Sequence, residues 1–251
     1  MRKRILNQPI DVISKDEAMY RAKMALVHPR QFKIITLNPE MVVNATKNID
    51  FQAAINNAQL IIPDGTGIVW ALKLLNPTTV KNLQRIPGIE LAEGILVAAN
   101  ELSKKVAIFG GSKEVLEKVV LKLKEKYPNI NFIKTIDGFQ GKEQDEKIAS
   151  EIASVKPDII FVALGTPRQE IWINKYSLLF PQSIMIGIGG SLDIWSGKKQ
   201  RAPEWIRDIH SEWLYRVINE PQRVPRILMS LPVFVFMVLK AKSSLQTKQV
   251  F

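Results

Sequence analysis

Asp64 stands where an apolar run gives way to a glycine-rich turn, in Leu60-Ile61-Ile62-Pro63-Asp64-Gly65-Thr66-Gly67. Ligands of open α/β sheets sit beyond the carboxyl ends of the strands, so a carboxylate there can take a proton from a substrate hydroxyl. An aspartate just before a helix has a second, purely structural use, because its side chain can cap free N–H groups of the first turn. Comparable polar or small residues follow other apolar runs: Thr36 and Asn38, Gly110 and Gly111, Asp137 and Gly138, Gly165 through Gln169, and Gly187 through Gly190 and Asp193. Glycines let a backbone approach a phosphate, and the helix that follows offers unpaired N–H groups and a positive dipole end. Any one such loop also reads as a tight strand-to-helix turn; six on one edge favour a ligand. Arg85, before Ile86-Pro87-Gly88, is either a solvated loop residue or a functional one, and Gln169 either meets a sugar or faces water.

Alternating elements must carry these loops. Strand-length apolar runs occur at residues 32–37, 59–62, 105–109, 131–136, 158–163 and 183–187, and the spans 88–102, 113–126, 142–154 and 167–179 read as helices. Strands apolar throughout and joined by helices indicate a parallel sheet covered on both faces. The expected fold is therefore α/β, a Rossmann-like and largely parallel sheet, with a basic helical appendage at the C-terminus. The pattern changes after Ser191, which places a main domain at 1–195 and the appendage at 196–251.

Composition excludes several chemistries. With 46% hydrophobic and 24% charged residues the chain is an ordinary globular one. It has no cysteine, which removes thiolate metal sites and thiol nucleophiles, and its two histidines lie far apart in sequence. Neither a G-x-x-x-x-G-K-[ST] loop nor a strand-to-helix G-x-G-x-x-G fingerprint is present. No Asp-x-Asp pair occurs either. If the substrate is a nucleotide-sugar, helix N-termini and arginines, not Mg²⁺ or Mn²⁺, are then the expected neutralisers of its diphosphate, and no cofactor or metal is expected.

The net charge of +11 points to an anionic partner. From Ser196 onward ten Lys/Arg face four acidic residues, a surplus of six, so over half of the excess lies in the last quarter of the chain. Arg216, Arg223 and Arg226 share a face if the helix resumes past the prolines. Leu228–Leu239 is apolar, too short to span a bilayer and followed by Lys240 and Lys242, a pattern suited to lying on an anionic membrane. Prolines 221, 225 and 232 argue against one long packed helix here. No signal peptide is evident, so the expected location is cytoplasmic, peripheral on the inner membrane face.

Taken in order, the loops resemble the WecG/TagA/CpsF glycosyltransferases. The resemblance is carried by Thr36-Leu37-Asn38-Pro39-Glu40, Pro63-Asp64-Gly65-Thr66-Gly67, Arg85-Ile86-Pro87-Gly88, Gly110-Gly111 and Asp137-Gly138-Phe139. It continues through Gly165-Thr166-Pro167-Arg168-Gln169-Glu170, Gly189-Gly190-Ser191-Leu192-Asp193, Arg201-Ala202-Pro203-Glu204-Trp205 and Glu212-Trp213-Leu214-Tyr215-Arg216, spanning roughly residues 5–226. It implies an inverting, metal-independent transferase moving N-acetylmannosamine or a related sugar from a UDP-sugar donor. The implied acceptor is N-acetylglucosamine on undecaprenyl diphosphate, for teichoic acid, common antigen or capsule synthesis.

By the same resemblance Asp64 is the general base, and Thr36, Asn38, Arg85 and Gln169 line the acceptor and sugar pocket. Gly110, Gly111, Gly138, Gly165, Gly190 and Asp193 are assigned to the nucleotide-sugar, and Arg216, Arg223 and Arg226 to the lipid diphosphate. Phe139 departs from the family, where tyrosine is common, so any hydroxyl contact there is lost.

Two other classes share some of these features. A dinucleotide-dependent oxidoreductase lacks its glycine fingerprint. A basic nucleic-acid-binding module fits the charge, but Asp64, Asp137 and Asp193 would repel a phosphate backbone, and no nucleic acid partner is expected. The sequence leaves the oligomeric state open, a homo-oligomer included.

Overall fold

The computed structural model describes residues 1–77, 80, 83–208, 212–219 and 224–249. Its centre is a six-stranded, all-parallel sheet of β3 (Phe32–Leu37), β4 (Leu60–Pro63), β5 (Lys105–Gly110), β6 (Asn131–Ile136), β7 (Ile159–Ala163) and β8 (Ile184–Gly187). The order is β4-β3-β8-β7-β5-β6. The α/β class and parallel sheet expected from the sequence are thus observed. Before the sheet, β1 (Arg2–Ile5) and β2 (Gln8–Asp11) form a hairpin turning through Leu6 and Asn7, both at positive φ. Asp11 holds it in place: its carboxylate accepts from Arg2 and from the Ile61 N–H of edge strand β4.

Alternate residues of each strand enter opposite layers. One face packs Ile34, Ile108, Phe161 and Ile186 against α1 (Lys15–Val27), α5 (Gly88–Glu101), α6 (Lys113–Lys126) and α9 (Ser191–Trp195). Under β3 and β4 on the other face lie α2 (Pro39–Ala45), α3 (Ile49–Asn56), α4 (Thr66–Leu75) and α12 (Val224–Gln249). Beneath β5, β7 and β8 lie α7 (Asp145–Ser154) and α8 (Arg168–Tyr176), where Phe109 packs on Trp172 at a ring separation of 5.2 Å. Two short helices, α10 (Glu204–Asp208) and α11 (Glu212–Asn219), precede α12.

The C-terminal segment differs from expectation. Val224–Gln249 is one continuous helix, with Pro225 in its first turn and Pro232 inside. A proline in the first turn removes an N–H that has no intrahelical partner anyway, and Pro232 lies on the exposed side. Ser230, Phe234 and Val238, four residues apart, are buried, and the latter two join the core formed by α2 and α4. Leu228, Met229, Val233, Phe236 and Leu239 are exposed on the other side. The prolines therefore do not break this stretch; Pro221 lies outside the described residues. Among those residues no helix is long and apolar enough to cross a membrane.

Candidate active site

All six parallel strands point their carboxyl ends at one edge, and most of the residues singled out from the sequence gather there. Asp64 directly follows β4, and its N–H donates to the Leu37 carbonyl at 2.8 Å, extending the β3–β4 ladder by one step. The capping position of α4 falls on Gly65, at φ 112°, which carries no side chain. Asp64 is thus one residue outside the cap, and its half-buried carboxylate faces another neighbour, the start of α5. A Cβ added to Gly88 would lie 3.2 Å from Asp64 Oδ2 and 2.8 Å from Thr36 Cγ2. The missing side chain at 88 is what lets the carboxylate and the threonine share this space.

Arg85 belongs to the same corner. The next residue, Ile86, donates its N–H to the carbonyl of Pro63 at 2.9 Å, which fixes the loop beside Asp64. The Arg85 guanidinium then pairs with Glu212 of α11 at 3.2 Å, and both side chains are largely buried. Asn38 stands between β3 and α2 as the N-cap, its Oδ1 accepting from the Met41 N–H at 3.0 Å. In the first turn of α5, Glu90 takes bonds of 2.6 Å from both Lys15 and Arg201, anchoring the segment that leads to α10. Burial alone would raise the Glu90 carboxyl, but the bonds from Lys15 and Arg201 outweigh it and hold it below its ordinary value.

Gln169 lies further along the edge, where β7 and β8 end. Its Oε1 accepts from the Gly189 N–H at 3.1 Å, and its Nε2 donates to Glu170 at 2.7 Å. The neighbouring Glu170 has no role that the sequence alone assigns. It is 2% exposed, and burial, partly offset by bonds from Gln169, its own N–H and Thr166, pushes its carboxyl up to about 7.

The glycines fall into two groups. Gly110, at φ 127°, lies so close to β7 that a Cβ would enter the Ala163 backbone, and one on Gly138 would sit 2.9 Å from the Gly110 Cα. A Cβ on Gly111 would meet Leu192 Cδ1 at 3.0 Å, so these three allow strand ends and α9 to close together. Gly165 borders open space at the β7 end, and Gly190 is the N-cap of α9. Asp193 is engaged with Lys199 at 3.1 Å. Asp137 accepts from the Phe139 N–H, leaving the Phe139 ring on the surface. The backbones of Arg216 and Arg226 belong to α11 and α12; their side chains, and Arg223 entirely, lie outside the described residues.

The edge combines a carboxylate, a threonine, an anchored arginine and glycine-rich turns. Such a set can hold a polar ligand and remove a proton from it. Comparison with known proteins identifies the family. The sequence model of the WecG/TagA/CpsF glycosyl transferase family matches residues 3–248. A Bacillus spizizenii protein named N-acetylglucosaminyldiphosphoundecaprenol N-acetyl-beta-D-mannosaminyltransferase is 40% identical over 208 residues, covering 82% of this chain and 78% of its own. Proteins of the same name from Bacillus subtilis and Staphylococcus aureus are each 39% identical. They cover 85% of this chain, and 81% and 82% of their own lengths. With matches of this extent to both the family and its members, the chain belongs to the WecG/TagA/CpsF family and is a glycosyltransferase.

Proposed function

We propose that this enzyme moves N-acetylmannosamine, or a closely related hexose, from a UDP donor to N-acetylglucosamine carried on undecaprenyl diphosphate. The relatives' name supports the sugar and the acceptor. One observation carries the chemistry: Asp64 lies outside the helix cap, its carboxylate beside Thr36 and over the side-chain-free Gly88.

In this reading the acceptor hydroxyl oxygen bonds to the anomeric carbon while its proton passes to Asp64. The bond from that carbon to UDP breaks on the opposite face, and its electron pair leaves with the diphosphate. A single in-line displacement inverts the configuration. Removing the proton through a placed base contributes roughly 10²–10⁴-fold.

The chain leaves β5 toward β6 on one side and leaves β7 toward β8 on the other, a topological switch point of the kind at which α/β sheets bind ligands, and in this reading its crevice takes the nucleotide. From β7 to β4 is three inter-strand steps, about 14 Å, the scale of an extended nucleotide-sugar. Arginines and helix N-termini, without a divalent ion, offset the diphosphate charge in this reading. Arg216, Arg223 and Arg226 of segment 196–251 hold the lipid diphosphate against the 1–195 body. The exposed apolar side of α12, with Lys240 and Lys242, rests on the anionic inner face of the cytoplasmic membrane.

The test is a panel of UDP-sugars with a short-chain diphospholipid-N-acetylglucosamine acceptor, with and without EDTA, the product linkage read by NMR. The native chain should transfer N-acetylmannosamine with inversion in both conditions. Asp64→Asn should keep its melting temperature and lose about 10²-fold or more in kcat. Native-like turnover by that variant would remove Asp64 from the role.

A further inference from the structure

Glu170, in the first turn of α8, takes no part in the displacement above, yet it is among the most buried charged residues of the chain. Its Oε1 accepts from Gln169 Nε2 at 2.7 Å and from Thr166 Oγ1 at 3.1 Å, and its buried Oε2 has no hydrogen-bond partner. The far end of the Gln169 amide is also held, by the Gly189 N–H at 3.1 Å. Gly187, the last residue of β8, leaves the room: a Cβ there would lie 2.5 Å from Gln169 Nε2. Thr166, Glu170, Gln169 and Gly189 thus form a chain of hydrogen bonds from the β7 loop to the β8 loop.

The two ends of a side-chain amide have nearly the same shape, so only its hydrogen-bond partners decide which way it points. An ionised carboxylate accepts and never donates, so it requires the N–H end of Gln169; the Gly189 N–H requires the oxygen end. A protonated carboxyl makes a weaker bond, because charge-assisted hydrogen bonds are roughly twice as strong as neutral ones. It also offers a competing donor.

We propose that Glu170 is a positioning residue for sugar-nucleotide binding, its carboxylate locking the Gln169 amide so that the β7–β8 side of the crevice keeps one fixed pattern of donor and acceptor. The proposal rests on the transferase reading above. Burial pushes the carboxyl up to about 7, and the charge of Glu40 at the head of α2 adds to the rise. The nearest charged groups on the elements packed against α8 do not bond to Glu170. Lys33 of β3 donates to Asn174, Arg168 pairs with Asp145 of α7, Asp50 of α3 is exposed, and β7 and β8 carry none. Below about pH 7 the lock weakens, so nucleotide affinity falls toward acid.

The experiment measures UDP binding by calorimetry, and kcat and KM for the UDP-sugar, between about pH 6 and about pH 8. The native protein should lose several-fold in UDP affinity and gain as much in KM toward acid, with kcat changed less. Glu170→Gln, similar in shape but without a charge to lose, should bind UDP about tenfold more weakly than native at pH 8 and show no acid limb. Thr166→Val removes one bond to the carboxylate and should move the limb to higher pH, a shift that a merely structural role would not produce. A native limb retained in Glu170→Gln, or pH-independent UDP binding by the native protein, overturns the proposal. UDP binding with the expected limb but no transfer overturns the transferase reading alone.

Discussion

Arg85 Nη2 and Glu212 Oε2 meet at 3.2 Å across 127 positions of sequence. Because Ile86 is bonded to Pro63, this ion pair connects α11 to the residue preceding Asp64. Removing one partner of a buried pair leaves the other charge uncompensated, at a cost of about 3–5 kcal/mol. Glu212→Ala should therefore lower stability on that order and reduce kcat/KM on the lipid acceptor. A double-mutant cycle with Arg85→Ala, followed by chemical unfolding, checks it: strictly additive losses would show that the two residues are not coupled.

Gly88→Ala should separate local crowding from folding. Alanine is the better helix former at this helical position, so backbone preference alone favours the change. Its Cβ, however, enters the space shared by Thr36 and Asp64. A displacement of about 1 Å of a reacting group can cost on the order of 10²-fold in rate. The expected outcome is a strong fall in kcat with little change in melting temperature; unchanged kcat would argue that Asp64 does not need this space.

Two phenylalanines on α12, two positions apart, should behave oppositely. Phe234 is fully buried against α2 and α4, and Phe234→Ala should cost about 3–5 kcal/mol of stability. Phe236 is 66% exposed, and Phe236→Ser should alter stability by no more than about 0.5 kcal/mol. It should nonetheless weaken co-flotation with anionic vesicles, a binding that also declines with salt. Equal flotation of Phe236→Ser and native protein would count against the membrane role of that face.

Glu170 also predicts a stability signature. Its folded-state value of about 7 lies above the ordinary 4.5. Between those two pH values the folded state binds more protons than the unfolded state, so stability falls as pH rises. The contribution is present below about pH 4.5, lost by about pH 7, and on the order of 3 kcal/mol. Glu170→Gln lacks this dependence, so it should gain stability relative to native as the pH is raised from about 5 to about 8. A difference between the two proteins that stays constant with pH contradicts the shift.

The central sheet is legible in the sequence because most of its strands are apolar runs, and the spans 32–37 and 131–136 coincide with β3 and β6, although edge strand β6 has only part-buried and exposed residues. The N-terminal hairpin was not, since Gln8 and Asp11 are polar and their burial comes from partners distant in sequence, Ile61 among them. Its turn uses Leu6 and Asn7 at positive φ with no glycine to mark it. The unbroken α12 was hidden by Pro232, which lies inside the helix on its exposed side, where the carbonyl it leaves without a partner can meet water. At the candidate site, Asp64 and Thr36 could be named from strand-end position, but not their meeting over Gly88. Glu170 looked like an ordinary acidic residue in a first helical turn, where the dipole favours it; only tertiary burial reveals its proton affinity.

The seating of α12 has a geometric corollary. Its inner side lies on α2, headed by Asn38, and on α4, which begins two residues after Asp64. On the proposed membrane arrangement, packed protein rather than a floppy tether fixes the height of the base above the bilayer. A lipid-linked acceptor would then be selected by how far its terminal hydroxyl stands off the membrane. The product, one sugar taller, would overshoot that height, giving the enzyme a built-in ruler that stops after a single addition.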